Sequence, residues 1–433
     1  MRGLFRYLSP FTPDQSGAAS VLFELGGIII ICDAGGCAGN VCGFDEPRFQ
    51  MQKSAVFSAC LRDMDAIMGR DDKLVAKVGD ALKSLPDAKF VAYIGTPVPS
   101  VIATDYKALC RMTEKKFGVP TIACATNGMD SYDKGEEKIY ISLIERFADG
   151  CKKDDSLVGV WGATPLDVAA LDSGNVLRES LGVEGKKVVV YGMGSTLDDF
   201  KNCGAASVNY VVSVAGLTAA KYLEKKFGTK YKVISPVSFD EILKLDGALS
   251  CGEKYLSPNN GKRSTLKLDE NLTSEEKHLS SNNGAWALAR LDNASSSVEK
   301  DLYSNSDAKN IKVDGPVLII SQQFMANGVR EFIRGKMLHG ENQNVKIDCA
   351  TFFDFEKSYT ENGDCYLPGE DDLIRLVEEK KYRTIICDTL FMRALPDFDG
   401  KHIPLPHYAV SGQLNAVKSE KEFVEQIIRG FEK

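Results

Sequence analysis

The residues best placed to do chemistry sit in one segment, GIIIICDAGGCAGNVCGFDEPRF, residues 27–49. Three cysteines fall five residues apart there: Cys32, Cys37 and Cys42. Thiolates are the preferred ligands of iron–sulfur clusters. Four glycines, Gly35, Gly36, Gly39 and Gly43, let the backbone approach a bulky group. Loop N–H groups at the end of a strand also point at cluster sulfides. The spacing matches neither ferredoxin pattern, C-x2-C-x2-C or C-x4-C-x2-C. A Gly-rich turn with buried thiols is therefore the competing reading. A Rossmann phosphate loop fits less well, because GGCAGNVCG lacks the G-x-G-x-x-G register.

Other residues carry weaker signals. Tyr191-Gly-Met-Gly-Ser-Thr196 follows KVVV and looks like a nucleotide turn, although a lone G-x-G is a poor indicator. Cys60 follows a short possible strand. Cys124 and Cys387 end apolar runs. Cys110, Cys151, Cys203 and Cys349 lie in helical or buried runs and read as small core hydrophobes. Cys251 and Cys365 sit in polar surroundings and suggest no role. Twelve cysteines against four histidines argues against a His-built zinc or non-haem iron site.

Composition narrows the function classes. The chain has 433 residues, 44% of them hydrophobic and 26% charged, which suits a soluble protein with large cores. A net charge of −7 disfavours a nucleic-acid binder, which needs clustered Lys and Arg. The longest apolar stretch, 26–32, is far too short to span a bilayer, so no membrane association is expected. With no secretion signal apparent, a cytoplasmic location and reduced thiols are expected.

One grammar positions these residues. A short β-branched run ends in a polar or Gly-rich turn, and an amphipathic helical segment follows. Ten runs read as buried strands: 27–32, 90–95, 120–125, 157–162, 187–192, 209–214, 231–236, 316–321, 345–353 and 383–388. They are apolar without alternation, as parallel strands covered on both faces are. Helical segments lie at 103–117, 136–149, 215–227, 324–338, 371–381 and 419–432. This alternation predicts α/β architecture with mainly parallel sheets. Ten strands exceed one compact sheet, and breaks fall near 150–156 and 250–315. The expected division is three Rossmann-like domains: 1–152 with the iron–sulfur site, 153–250, and 313–433 with a C-terminal helix. The polar segment 251–312 connects the last two, with a possible helical pair around Trp286. In such sheets ligands bind at the carboxyl ends of strands.

The order of segments resembles component 1 of nitrogenase and its relatives, the dark-operative protochlorophyllide reductases and the nickel-tetrapyrrole cyclases. Asp33-Ala-Gly-Gly-Cys37 resembles the family's H-G-P-x-G-C. Asp63-Met-Asp-Ala-Ile-Met-Gly69 resembles E-x-D-x-V-F-G, and Ile102-Ala-Thr-Asp105 resembles I-G-D-D. Thr126-Asn-Gly-Met-Asp-Ser131 resembles T-x-G-F-x-G/S. Gly194-Ser-Thr-Leu-Asp-Asp199, Asn209-Tyr-Val-Val-Ser213 and Pro404-Leu-Pro-His407 with Ser411-Gly412 resemble later family motifs. The resemblance runs through nearly the whole chain except about 250–312.

The resemblance implies an iron–sulfur cluster, 4Fe–4S or larger, bridging two subunits, with Cys37 as the matching ligand. The family's other two cysteines fall at or near Phe11 and Pro97, so Cys42, Cys32 or a partner chain must complete the set. Gly35, Gly36 and Cys60 are expected close to the cluster. The family's active-site metal cofactor has a cysteine ligand where this chain has Ser213, and a histidine near His407. Dinitrogen reduction is therefore not expected. The implied function is an iron–sulfur subunit of an ATP-dependent two-component reductase. Its electrons would come from a nitrogenase-reductase-like iron–sulfur ATPase, and this chain has no G-x-x-x-x-G-K-S/T loop of its own. The substrate would be a small unsaturated, tetrapyrrole or sulfur-containing molecule, with His407, Asp33 and Tyr191 as proton donors. The assembly would be a homodimer or a heterodimer with a related component-1 subunit. The alternative is a non-catalytic scaffold for metallocluster assembly.

Overall fold

A computed structural model describes residues 5–150, 152–182, 185–237, 313, 315–337 and 345–432. The segment 251–312, with Trp286 and Cys251, and also Cys151, lie outside the described residues. No described helix is long and apolar enough to cross a membrane. None of the described cysteines forms a disulfide.

Among the described residues thirteen strands form three sheets, and every strand pairing is parallel. The first sheet holds β1 (Ile28–Ile31), β2 (Ala55–Ser58), β3 (Val91–Ile94) and β4 (Thr121–Cys124), in the order β2-β1-β3-β4. The second holds β5 (Asp154–Trp161), β6 (Lys187–Val190), β7 (Ala206–Val211) and β8 (Lys230–Val233), in the order β6-β5-β7-β8. The third holds β9 (Val317–Ile320), β10 (Ile347–Thr351), β11 (Cys365–Tyr366), β12 (Thr384–Cys387) and β13 (Lys401–Pro404), in the order β11-β10-β9-β12-β13. In each sheet the chain order reverses beside the first strand. The turns after β1, β5 and β9 therefore open at switch points, where such sheets bind ligands.

All ten apolar runs form strands. Inner strands such as β1 and β9 are buried at every residue. A strand with helices on both faces needs apolar side chains on both sides, which is why these runs do not alternate.

The helix Tyr132–Phe147 joins the first sheet to the second. Its buried residues Ile139, Tyr140, Leu143 and Ile144 follow helical spacing. It crosses the helix Asp14–Leu22 closely enough that only glycine fits. A Cβ on Gly135 would lie 1.7 Å from the Asp14 carbonyl oxygen, and one on Gly17 would lie 2.0 Å from that of Tyr132. Backbone cannot move aside as a flexible side chain can. Gly135→Ala is expected to cost about 1–3 kcal/mol or more through this overlap. A midpoint of thermal or urea unfolding equal to the parent's would refute the close crossing.

Candidate functional site

Strand β1 ends at Ile31, and the chain turns through Gly35 into a short helix, Gly36–Asn40, then a single π-helical turn, Val41–Asp45. Gly35 has φ +125°, which a side chain would resist. Asp33 braces the turn. One carboxylate oxygen accepts from the Ala38 N–H at 2.8 Å and the other from the Ser58 hydroxyl. With both oxygens so engaged, Asp33 is a loop brace rather than the expected proton donor. Added Cβ atoms at Gly35, Gly36, Gly39 and Gly43 would meet nothing within 4 Å, so one side of the loop faces open space.

The three cysteines do not share that space. Side chains alternate across a strand. Ile28, Ile30 and Cys32 face the helix Asp71–Ser84, while Ile29 and Ile31 face the other way. Cys32 is fully buried, and burial pushes its thiol far above its ordinary range. It is a core residue on the opposite face from Cys37 and cannot join it on one group, which corrects the expectation of a shared ligand set. Cys37 and Cys42 are both half-buried. Burial and the nearby Asp33 charge raise the Cys37 thiol, while the Thr96 hydroxyl works the other way. Burial alone raises the Cys42 thiol. A bound iron would favour the thiolate in both. Cys60 lies beyond β2 with φ +47°, its sulfur 3.2 Å from the Ser58 hydroxyl that also binds Asp33. It supports the brace from behind. Among the described residues no three His, Cys, Asp or Glu side chains converge as a metal site. One chain thus offers two half-buried thiols, Cys37 and Cys42, on an open loop.

Large apolar side chains are exposed at the edge of the first sheet that carries the Cys37 loop. Phe44 follows β1, Met64, Ile67 and Met68 follow β2, Val101 and Ile102 follow β3, and Met129 follows β4. Ile67 is 74% exposed, Val101 84% and Met129 83%. All sit at the carboxyl edge of the first sheet. Leu414 of the third sheet's last loop joins them, because Gly412 approaches the Phe44 carbonyl.

The two positions where the resemblance expects cysteine have other uses. Phe11 packs among Phe5, Phe352, Phe353 and Phe391 at 5.4–5.9 Å. Pro97 opens the turn Pro97–Val101 directly after Thr96, beside Cys37. The turn after β6 is engaged by two side chains that flank the first sheet. Its Gly192 carbonyl accepts from Arg48 at 2.8 Å, and its Gly194 N–H donates to Glu24. Tyr191 is fully buried, stacked on Trp161 at 3.9 Å, and its hydroxyl donates to the Asp199 carbonyl. It therefore holds the second sheet's core together and has no proton to give a ligand.

A second site appears where the three sheets meet. A small cleft of about 10 Å³, room for about one water molecule, is lined by Tyr132, Asp133, Asp167, Ser213, Gln322 and Phe353, among others. These residues follow β4, β5, β7, β9 and β10, so they are again carboxyl-end residues. Asp133 and Asp167 are buried, and Glu136 lies behind them, fully buried. Asp167 accepts from the Tyr132 hydroxyl at 3.2 Å and the Thr164 hydroxyl at 3.1 Å. His407 sits one layer back, stacked on Phe353 at 4.7 Å and edge-on to Tyr132 at 6.0 Å. Neither ring nitrogen has a hydrogen-bond partner, and burial lowers its pKa to about 3. His407 is therefore a neutral ring at physiological pH, and it offers no imidazolium as acid.

The sequence reading missed Asp133, Glu136 and Asp167. It began the helix at 136, which left Tyr132 and Asp133 in a loop, whereas the helix starts at Tyr132. The signal was present: Asp133 and Glu136 continue the apolar face of Ile139, Tyr140 and Leu143 at helical spacing. Carboxylates on a buried face need a reason.

Comparisons with known proteins agree with this geometry. A family model described as nitrogenase component 1 type oxidoreductase matches residues 14–250. The nitrogenase iron-molybdenum cofactor biosynthesis protein NifE of Clostridium pasteurianum is 27% identical over 182 residues, 41% of this chain and 39% of that protein. The match thus spans well under half of that relative's length. Solved structures of nitrogenase Cp1 at pH 6.5 and at pH 5 align with 100% of this chain and with 94% and 90% of their own. The TM-scores are 0.64 and 0.63 at 12% and 11% identity, a likeness of fold.

Proposed function

Because the chain belongs to the nitrogenase component 1 type oxidoreductase family, we propose that it is the iron–sulfur subunit of an ATP-dependent two-component reductase acting on a small molecule other than dinitrogen. The family binds iron–sulfur clusters and works with a reductase-like ATPase. The observation that carries the reading is the open Cys37 loop, which lies at the same sheet edge as several exposed apolar side chains. A second copy of the chain, docked by this edge, brings a second Cys37 loop to the same place. Cys37 and Cys42 from each copy make four thiolates, the number a cubane cluster takes. A cluster held there supplies electrons one at a time at the carboxyl edge of the first sheet. The chain's own residues shape the rest: Asp33 holds the loop, Thr96 meets the Cys37 thiol, and apolar side chains keep water from the seam. Ser213 stands where the family's metal cofactor has a thiolate ligand, and this argues against dinitrogen as substrate.

Charges placed at this edge test the reading. Ile67→Lys and Val101→Lys remove exposed apolar side chains without touching a core. The expected result is a shift from dimer to monomer in anaerobic mass measurement, with iron lost in parallel. A parent protein that is monomeric and iron-free after anaerobic purification would sink the proposal.

A second reading is a scaffold on which a metallocluster is assembled. The likeness to NifE, named as a cofactor biosynthesis protein, favours it. Turnover with a reductase partner and ATP separates the two, since a scaffold gives none.

A further inference from the structure

We propose that residues 5–12 form a strap that seals His407 and opens while the three sheets stay closed, giving small molecules a gated route to that imidazole. The strap needs neither iron nor the reductase reading.

The outer half of the segment is held by few contacts. Residues 5–12 form no helix or strand, and Phe5, Arg6, Tyr7, Ser9 and Pro10 are exposed. One carboxylate gathers the backbone here. Glu370, 4% exposed, begins the helix Glu370–Lys380. One of its oxygens accepts from the Arg6 N–H, and the other accepts from the Tyr7 and Leu8 N–H groups at 2.9 and 3.0 Å. Hydrogen bonds to an ionised acceptor are the stronger kind. The second hold is the Phe11 ring, edge-on to Phe352 and Phe391. The fixed end is Pro13, which bridges to Ser131 and leads into the helix Asp14–Leu22.

The inner half lies across the walls of His407. Phe11 packs on Phe353 at 5.7 Å, and Phe353 is the ring stacked on His407. Thr12 joins two further walls. Its N–H donates to the carbonyl of Ala409, two residues after His407, at 2.9 Å. Its carbonyl accepts at 3.1 Å from the N–H of Tyr132, whose ring is edge-on to His407. Lifting residues 5–12 therefore loosens three walls together.

An independent observation makes opening worthwhile to the fold. His407 is 4% exposed, and neither ring nitrogen has a hydrogen-bond partner. A neutral imidazole carries one donor and one acceptor, and leaving both unmade in the interior is costly. Opening offers both groups water or a ligand. It breaks the Glu370 and Thr12 bonds and the Phe11 contacts but leaves every strand pairing intact, as sub-global openings do.

Two measurements on the full chain test this. Amide exchange is followed by mass spectrometry in peptides spanning 5–13 and 139–147. Acylation of His407 by diethyl pyrocarbonate, which attacks neutral imidazole, is followed with partly buried His402 as the internal reference. In the parent, the strap amides should exchange faster than those of 139–147. His407 should react far more slowly than His402, yet faster than global unfolding allows. Glu370→Gln keeps the side chain's shape but loses its charge, and should raise both the strap and the His407 rates roughly tenfold. Phe11→Ala should raise both severalfold. Within each variant the two factors should agree, because both reactions pass through the same opening, and His402 should be unchanged. Strap amides that exchange only with global unfolding, or His407 as reactive as His402 in the parent, would overturn the proposal. So would variants that raise neither rate, or that speed the strap amides without speeding His407. The parent measurements decide the matter even if a variant fails to fold.

Discussion

Replacing Cys37 by Ala is expected to bring iron and sulfide down to background in protein purified without oxygen. The effect should be close to complete, because Cys37 is the half-buried thiol in the middle of the open loop. Cys42→Ala should leave a reduced and more labile complement, since one ligand position per chain can pass to water or a neighbouring thiol. Cys32→Ala should keep its iron, because that side chain points into the packing between β1 and the helix Asp71–Ser84. Its cost is one of packing, about 1 kcal/mol for a small buried side chain. The three variants therefore separate two explanations that a single one confounds. A general loss of structure would affect Cys32→Ala most, since it is the most buried of the three. A loss of ligands affects Cys37→Ala most. Full iron retention by Cys37→Ala would refute the assignment, and iron loss confined to Cys32→Ala would move it to the wrong face of the sheet.

Much of the architecture was legible because buried parallel strands have a composition of their own. Runs such as Ile28–Ile31 and Val317–Ile320 admit no polar side chain on either face. The strands that escaped are all at sheet edges. Strand β2 is only half-buried throughout, β11 has two residues, and β13 reads Lys-His-Ile-Pro. An edge strand tolerates charge and proline because one side makes no ladder. The site was legible to a different degree. Loop chemistry singled out Cys37, and it lies on a loop whose glycines face open space. The same five-residue spacing suggested Cys32 as a companion, although it lies within the strand's alternation and turns the other way. Spacing within a loop says little about direction when a strand ends partway through it. The cleft was illegible for a more general reason. Its carboxylates come from three sheets, and no local pattern links Asp133, Asp167 and Asp354.

Replacing Arg48 should have a large effect on stability for a change to a charged side chain. Its guanidinium is buried, 4% exposed, and ties the exit of the cysteine loop to the second sheet. It pairs with Glu46 through two nitrogens at 2.8 and 2.9 Å, with Glu24 at 3.1 Å, and with the Gly192 and Ser20 carbonyls at 2.8 and 2.6 Å. It also lies over the Phe23 ring at 4.5 Å. Arg48→Met keeps much of the volume but leaves the Glu46 carboxylate, 2% exposed, without its counter-charge. Breaking a buried pair from one side costs about 3–5 kcal/mol, far more than the pair's net contribution. The double change Glu46→Gln with Arg48→Met should therefore recover part of that loss. Lysine offers one charged centre where arginine offers a planar fork, so Arg48→Lys should fall between parent and Arg48→Met. The functional consequence follows from position. Arg48 lies six residues beyond Cys42 and anchors the turn that ends the loop. Arg48→Met is expected to lose iron more readily on dilution or chelation than the parent, at a temperature where both remain folded. Urea unfolding and chelator-driven iron release measured on the same samples check both halves. Equal unfolding midpoints, or recovery of stability by the double variant without slower iron release, would show that the buried network holds the two sheets together but does not hold the loop.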